Sequence, residues 1–130
     1  MIEGIDISQW NGEINFHRVK QSGIQFVIMR ASIFYRADYK FARYYEQARE
    51  AGLWIGVYWV WDPDKEDRRM LETFMKTLGD RTIDFPPFID IELLGYGGRN
   101  WRMKRLIELV ERIRQWWGKP MGIYTSPHYA

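Results

Sequence analysis

The segment FIDIEL at 88–93 sets two carboxylates, Asp90 and Glu92, one residue apart in a run with the composition of a β-strand. Side chains alternate across a strand, so Phe88, Asp90 and Glu92 share one face, and Ile89, Ile91 and Leu93 the other. The isoleucine face is expected to pack on helices. That sends both carboxylates to the opposite face, where burial costs on the order of several kcal/mol unless they are paired or put to use. At about 7 Å spacing on one face they repel each other, and repulsion with desolvation raises one of the two pKa values. A carboxyl held protonated near neutral pH suits general acid cleavage of a glycosidic bond. Asp6, alternating with Ile5 and Ile7, and Arg30, alternating with Val27 and Met29, point to the same side. An Asp6–Arg30 ion pair is the competing, purely structural use of Asp6.

These residues need strands to hold them, and the chain supplies strand-like and helix-like segments in alternation. Segments 2–7, 26–32, 54–61, 88–93 and 120–126 read as strands. Between them fall a short helix over 16–22 capped by Asn15 and a helix over 40–51 with Phe41, Tyr44, Tyr45 and Ala48 on one face. A helix over 63–78 opens on Asp62-Pro63 and buries Met70, Leu71, Phe74, Met75 and Leu78. A helix over 101–117, capped by Asn100, carries Met103, Leu106, Val110, Ile113 and Trp117 as its stripe. Glycines at 23, 52, 79 and 118 stop the helices. Strands separated by helices describe a parallel α/β sheet, either doubly wound or part of a (β/α) barrel. In a barrel, inward residues near strand C-termini line the catalytic mouth.

Composition narrows the function classes. The 130 residues suffice for one domain, and 46% apolar with 28% charged is ordinary for a globular fold. Aromatic residues at 17%, with seven Trp and eight Tyr, exceed the ordinary and can stack on sugar rings as well as fill a core. A formal charge of +2 is too small to imply nucleic acid binding. Seven Lys and Arg between Arg99 and Lys119, against Glu108 and Glu111, read as a solvated helix face or as attraction to a polyanionic surface. With no cysteine and only His17 and His128, neither a disulfide framework nor a metal site is expected, and no cofactor is implied. No apolar run reaches membrane-spanning length, and MIEGIDIS lacks the basic and apolar parts of a signal peptide.

GIDISQWNGEINF at 4–16, FVIMRAS at 26–32, GVYWVW at 56–61, FIDIEL at 88–93 and GIYTS at 122–126 resemble, in order and spacing, the family 25 glycoside hydrolases, the Chalaropsis-type lysozymes. The resemblance spans the chain. It implies a flattened β/α barrel that hydrolyses the β-1,4 bond between N-acetylmuramic acid and N-acetylglucosamine of bacterial peptidoglycan. Carried over by motif, Glu92 is the general acid. Asp90 stabilises developing positive charge or orients the substrate's acetamido group, and Asp6 completes the acidic cluster. Tyr58, Trp59, Trp61, Tyr124 and Arg30 are the implied substrate-binding positions. Trp59 stands where the family usually has histidine, and it offers a stacking surface instead.

The resemblance also implies a site of action at the bacterial cell wall, as a phage endolysin or a secreted enzyme. Small β/α barrels need about 200 residues or more, so about five βα units make an incomplete barrel. Further sequence of a longer protein, a second chain or self-association is expected to complete it, the first two ahead of the third. Two other readings use the same residues. One is a family 18 chitinase-like glycosidase, which also carries Asp-x-Glu on its fourth strand. The other is a truncated domain that binds glycan or serves assembly without cutting.

Overall fold

The computed structural model describes residues 1–125. The elements run β1 (Gly4–Ile7), a 3-10 turn (Gln9–Asn11), α1 (Phe16–Gln21), β2 (Phe26–Ile33), β3 (Arg36–Ala37), α2 (Phe41–Glu50), β4 (Trp54–Val60), α3 (Asp67–Leu78), β5 (Phe88–Ile91), α4 (Arg99–Trp116) and β6 (Gly122–Thr125). Five strands pair in parallel in the order β1-β2-β4-β5-β6, and β3 folds back antiparallel on β2. Spatial order follows chain order with no reversal, so the sheet is no doubly wound fold, whose strand order turns back at a switch point. It curls into a half-barrel.

One face of the sheet carries the core. Ile7, Val27, Met29, Ala31, Ile55, Val57, Trp59, Trp61, Ile89 and Ile91 alternate along the strands and are buried against the helices. Phe41, Tyr44, Tyr45 and Ala48 of α2 and Met70, Leu71, Phe74 and Leu78 of α3 meet them, as their helical spacing predicts. Met75 stays exposed. In α4 the buried residues are Leu109 and Ile113, while Met103, expected in the stripe, stands exposed. The other face is concave, and its lower end is closed by rings lying over glycines. A Cβ on Gly4 would fall 2.1 Å from the Phe26 ring, and one on Gly122 would fall 2.6 Å from Phe88.

Three boundaries depart from the sequence reading. Asp62 does not cap α3. Its Oδ1 accepts from the Asp64 N–H at 2.9 Å in a local turn, and Arg105 takes the Pro63 and Lys65 carbonyls, so the helix begins four residues later at Asp67. The cap position of α4 is Gly98 rather than Asn100. The hairpin that makes β3 carries no Asn-Gly or Asp-Gly signal; Phe34 takes the left-handed conformation there instead, at φ 55°. Ser126 of the expected last strand, and His128, lie outside the described residues.

Candidate active site

The concave face and the strand C-termini enclose an open cleft of about 470 Å³. Its lining includes Asp6, Ser8, Asn11, Tyr58, Asp90, Glu92 and Tyr124. Adjacent strands bring them together. Asp6 is level with Ile28 across β1 and β2, Tyr58 is level with Phe88 across β4 and β5, and Asp90 is level with Tyr124 across β5 and β6. Ser8 and Asn11 come from the turn after β1, a capping box in which the Ser8 hydroxyl accepts from the Trp10 N–H and the Ser8 N–H donates to Asn11 Oδ1.

The three carboxylates are not equivalent. Asp6 and Glu92 are exposed, Glu92 lying one residue past the end of β5, whereas Asp90 is half-buried and its Oδ1 is enclosed without a hydrogen-bond partner among the described residues. Burial pushes the Asp90 carboxyl up to about 7. Hydrogen bonding to Glu92 and the charges of Glu92 and Asp6 act in the same direction, while Arg30 opposes them. The expected raised carboxyl is therefore Asp90 of the pair. Burial likewise pushes the Tyr58 hydroxyl up to about 12, with Asp6, Asp90 and Asp38 adding to it, so Tyr58 faces the cleft as a neutral hydrogen-bond donor.

Other expectations need correcting. Arg30 does not pair with Asp6. Its Nε donates to Asp38 Oδ2 at 3.0 Å, both side chains are buried, and Arg30 is not part of the cleft lining. Trp59 and Trp61 are fully buried on the helix-facing side and offer no surface to a glycan. Trp59 stacks on Phe74 at 5.9 Å between centroids, and the Trp61 indole donates to Asp67 Oδ1 at 2.9 Å. Strand alternation requires this, because residue 58 points into the cleft and 59 and 61 cannot follow it. Ser8 lies on the Asp6 face by strand alternation, as the sequence predicts, whereas Asp38 and Asn11 escape the sequence reading. Ser8 and Asn11 carry a capping-box signature, while Asp38 carries only a helix-start signal, an aspartate three residues before α2.

An α/β half-barrel with carboxylates gathered at the C-terminal ends of parallel strands is the architecture of a barrel-type glycosidase site. The sequence pattern of Glycosyl hydrolases family 25 matches residues 5–130. The chain is 29% identical to YegX of Escherichia coli (strain K12) over 96% of its own length and 48% of the relative's. It is 33% identical to the autolytic lysozyme of Clostridium acetobutylicum over 71% of itself and 28% of that protein. Among solved structures, the family GH25 lysozyme from Aspergillus fumigatus superposes with a TM-score of 0.81 at 27% identity, covering 98% of this chain and 66% of that one. The chain thus spans about half the length of YegX and two thirds of the fungal enzyme. This chain belongs to glycosyl hydrolase family 25. A match over residues 5–130 sets aside the family 18 alternative.

Proposed function

We propose that this chain carries the catalytic cleft of a muramidase that hydrolyses the β-1,4 bond between N-acetylmuramic acid and N-acetylglucosamine in bacterial peptidoglycan. The observation that carries the reading is the meeting of Asp6, Asp90 and Glu92 in one cleft, with Asp90 holding a proton up to about pH 7. Glu92 is one of the groups that keep this proton on Asp90, so the two carboxyls act on the substrate together. Glu92, the exposed member, is the arm that reaches the glycosidic oxygen and delivers that proton as the bond breaks. Asp90 is then the anion beneath the sugar, where it stabilises positive charge at the anomeric carbon or holds the acetamido group in place. Asp6 adds a second negative charge from β1, Tyr58 donates from the cleft floor, and Tyr124, half of whose surface is open, offers a stacking face. The site of action is the cell wall, in keeping with the autolytic lysozyme among its relatives.

A complementing segment belongs to the same reading. β6 has a neighbour on one side only among the described residues, and Ile123, Met103 and Ile107 are exposed beside an apolar groove of about 230 Å³ between α4 and β6. A further βα unit, from the same polypeptide or a second chain, covers this edge better than a second copy of the same open edge. A turbidity assay on purified peptidoglycan tests the proposal. Glu92→Gln keeps the shape and loses the proton, so clearing falls by at least about a hundredfold. Activity within about threefold of the parent would remove Glu92 from the acid role. Sedimentation with the wall, without release of reducing ends by the parent chain, would favour a glycan-binding domain instead.

A further inference from the structure

Asp38 lies between β3 and α2 and is 3% exposed. Its Oδ2 accepts from Arg30 Nε at 3.0 Å and from the Gln9 N–H at 2.9 Å, and its Oδ1 accepts from the Lys40 N–H at 2.9 Å. One enclosed carboxylate therefore joins β2, the start of α2 and the turn that carries Ser8 and Asn11 to the cleft. Arg30 is itself 6% exposed, and its Nη2 is buried without a hydrogen-bond partner among the described residues. Burial takes water from this donor without replacing it, so a nearby acceptor would be favoured by it. Arg30 stands on the cleft side of β2, level with Tyr58 of β4, and its charge acts on both Tyr58 and Asp90.

We propose that Asp38 is a positioning residue for the carboxylate cluster. It clamps Arg30 as a fixed cation on β2, across β4 from Asp90, and, through the Gln9 main-chain N–H, secures the turn that presents Ser8 and Asn11. Its consequence for turnover rests on the muramidase reading; its electrostatics do not. The charged groups facing Asp90 are Glu92 at its own strand end, Asp6 on β1 and Arg30 on β2, with Asp38 behind Arg30. Tyr58 on β4 and Tyr124 on β6 are the titratable hydroxyls at the same cleft. Of these charges, Arg30 alone favours the ionised form of Asp90.

A mere brace between β2 and α2 would loosen in the same way whichever partner is removed. The clamp makes the two removals act in opposite directions. Arg30→Gln withdraws the cation, so Asp90 titrates at higher pH than in the parent. Asp38→Asn removes a negative charge and frees the guanidinium to turn toward Asp90, so Asp90 titrates at lower pH. Arg30→Lys keeps the charge and stays closer to the parent than Arg30→Gln does.

The midpoints are read by carbon-13 NMR of the full chain carrying carboxyl-labelled aspartate, with circular dichroism to verify folding. The pH–rate profile of peptidoglycan clearing is recorded beside it, and its alkaline limb is expected to move with the Asp90 midpoint. Opposite shifts for the two variants, with Arg30→Lys between parent and Arg30→Gln, support the clamp. An unchanged Asp90 midpoint in folded Arg30→Gln, or shifts of both variants in one direction, overturn it. Should Asp38→Asn not fold, the contrast between Arg30→Gln and Arg30→Lys decides alone. Midpoints that move as expected in a parent chain that clears no peptidoglycan would sink the muramidase reading and leave the clamp standing.

Discussion

Trp61 links two aspartates that live in opposite company. Its indole N–H donates to Asp67 on the helix side, and its main-chain N–H donates to the Asp90 carbonyl on the strand that serves the cleft. Asp67 is almost fully enclosed and fully answered: Arg105 reaches it with two nitrogens at 2.7 and 3.1 Å, and Arg112 approaches from 3.9 Å. Asp90 is only half-buried, yet its near neighbours are two more carboxylates, and one of its oxygens has no partner. The more deeply buried charge is thus the better satisfied one. Burial alone does not mark a functional carboxylate in this fold; burial against its own kind does.

Removing Asp67 should give the largest effect on the fold. Asp67→Ala strands the Trp61 indole and takes from Arg105 its buried carboxylate, and a urea titration should record a loss of about 3 kcal/mol, the scale for breaking a buried pair. A loss under about 1 kcal/mol would mean that Glu108, which also bonds Arg105 at 2.8 Å, carries the joint. Asp90→Asn should act in the opposite sense on stability. The folded chain keeps the Asp90 proton between the ordinary value of 3.8 and about 7, while the unfolded chain has released it. Stability from that proton is therefore complete below about pH 4 and is lost as pH rises to about 7. Asp90→Asn should remove this slope and equal or exceed the parent in stability at pH 8, while peptidoglycan clearing falls by about a hundredfold. A variant less stable than the parent at pH 8 would erase the contrast with Asp67.

Asp6→Asn sharpens the comparison at a middle position. Because Arg30 is answered by Asp38, Asp6 supports no buried cation, and the substitution should lower clearing by roughly tenfold with the melting midpoint unchanged. A lowered midpoint with normal specific activity would make Asp6 structural. The smallest effect belongs to the surface. Arg68 and Glu72 pair at 2.8 Å with both side chains more than half exposed, and Arg68→Ala should cost under about 0.5 kcal/mol in the same urea titration.

Much of this arrangement is legible in the chain itself. Period-two alternation in FIDIEL separates Asp90 from the isoleucines, and glycine stops divide the units that become β1 to β6. WIGVYWVW obeys the same rule, setting Tyr58 against Trp59 and Trp61; the resemblance that made Trp59 and Trp61 substrate-binding positions points the other way, and the period prevails. The Arg30–Asp38 pair was out of reach because it depends on the short return strand β3, whose turn rests on a non-glycine residue with positive φ. The start of α3 was misplaced because Arg105, some forty positions along the chain, claims the carbonyls around it. Local pattern sets which face a side chain takes. Partners brought from distant elements set which charges are answered.

The strand order has one more consequence, for how the chain is built. Each parallel strand after β1 pairs with the one that precedes it in the sequence, β3 aside, so only β1 waits for a later strand, β2, to give it a neighbour. Growth can proceed as vectorial accretion, each βα unit docking on the edge left by the last as it leaves the ribosome. The loop to be closed at every step is only one unit long, which keeps the entropy of closure nearly constant along the chain. Asp6 is in position first, and the carboxylate cluster assembles only when Asp90 and Glu92 arrive, after most of the scaffold is in place.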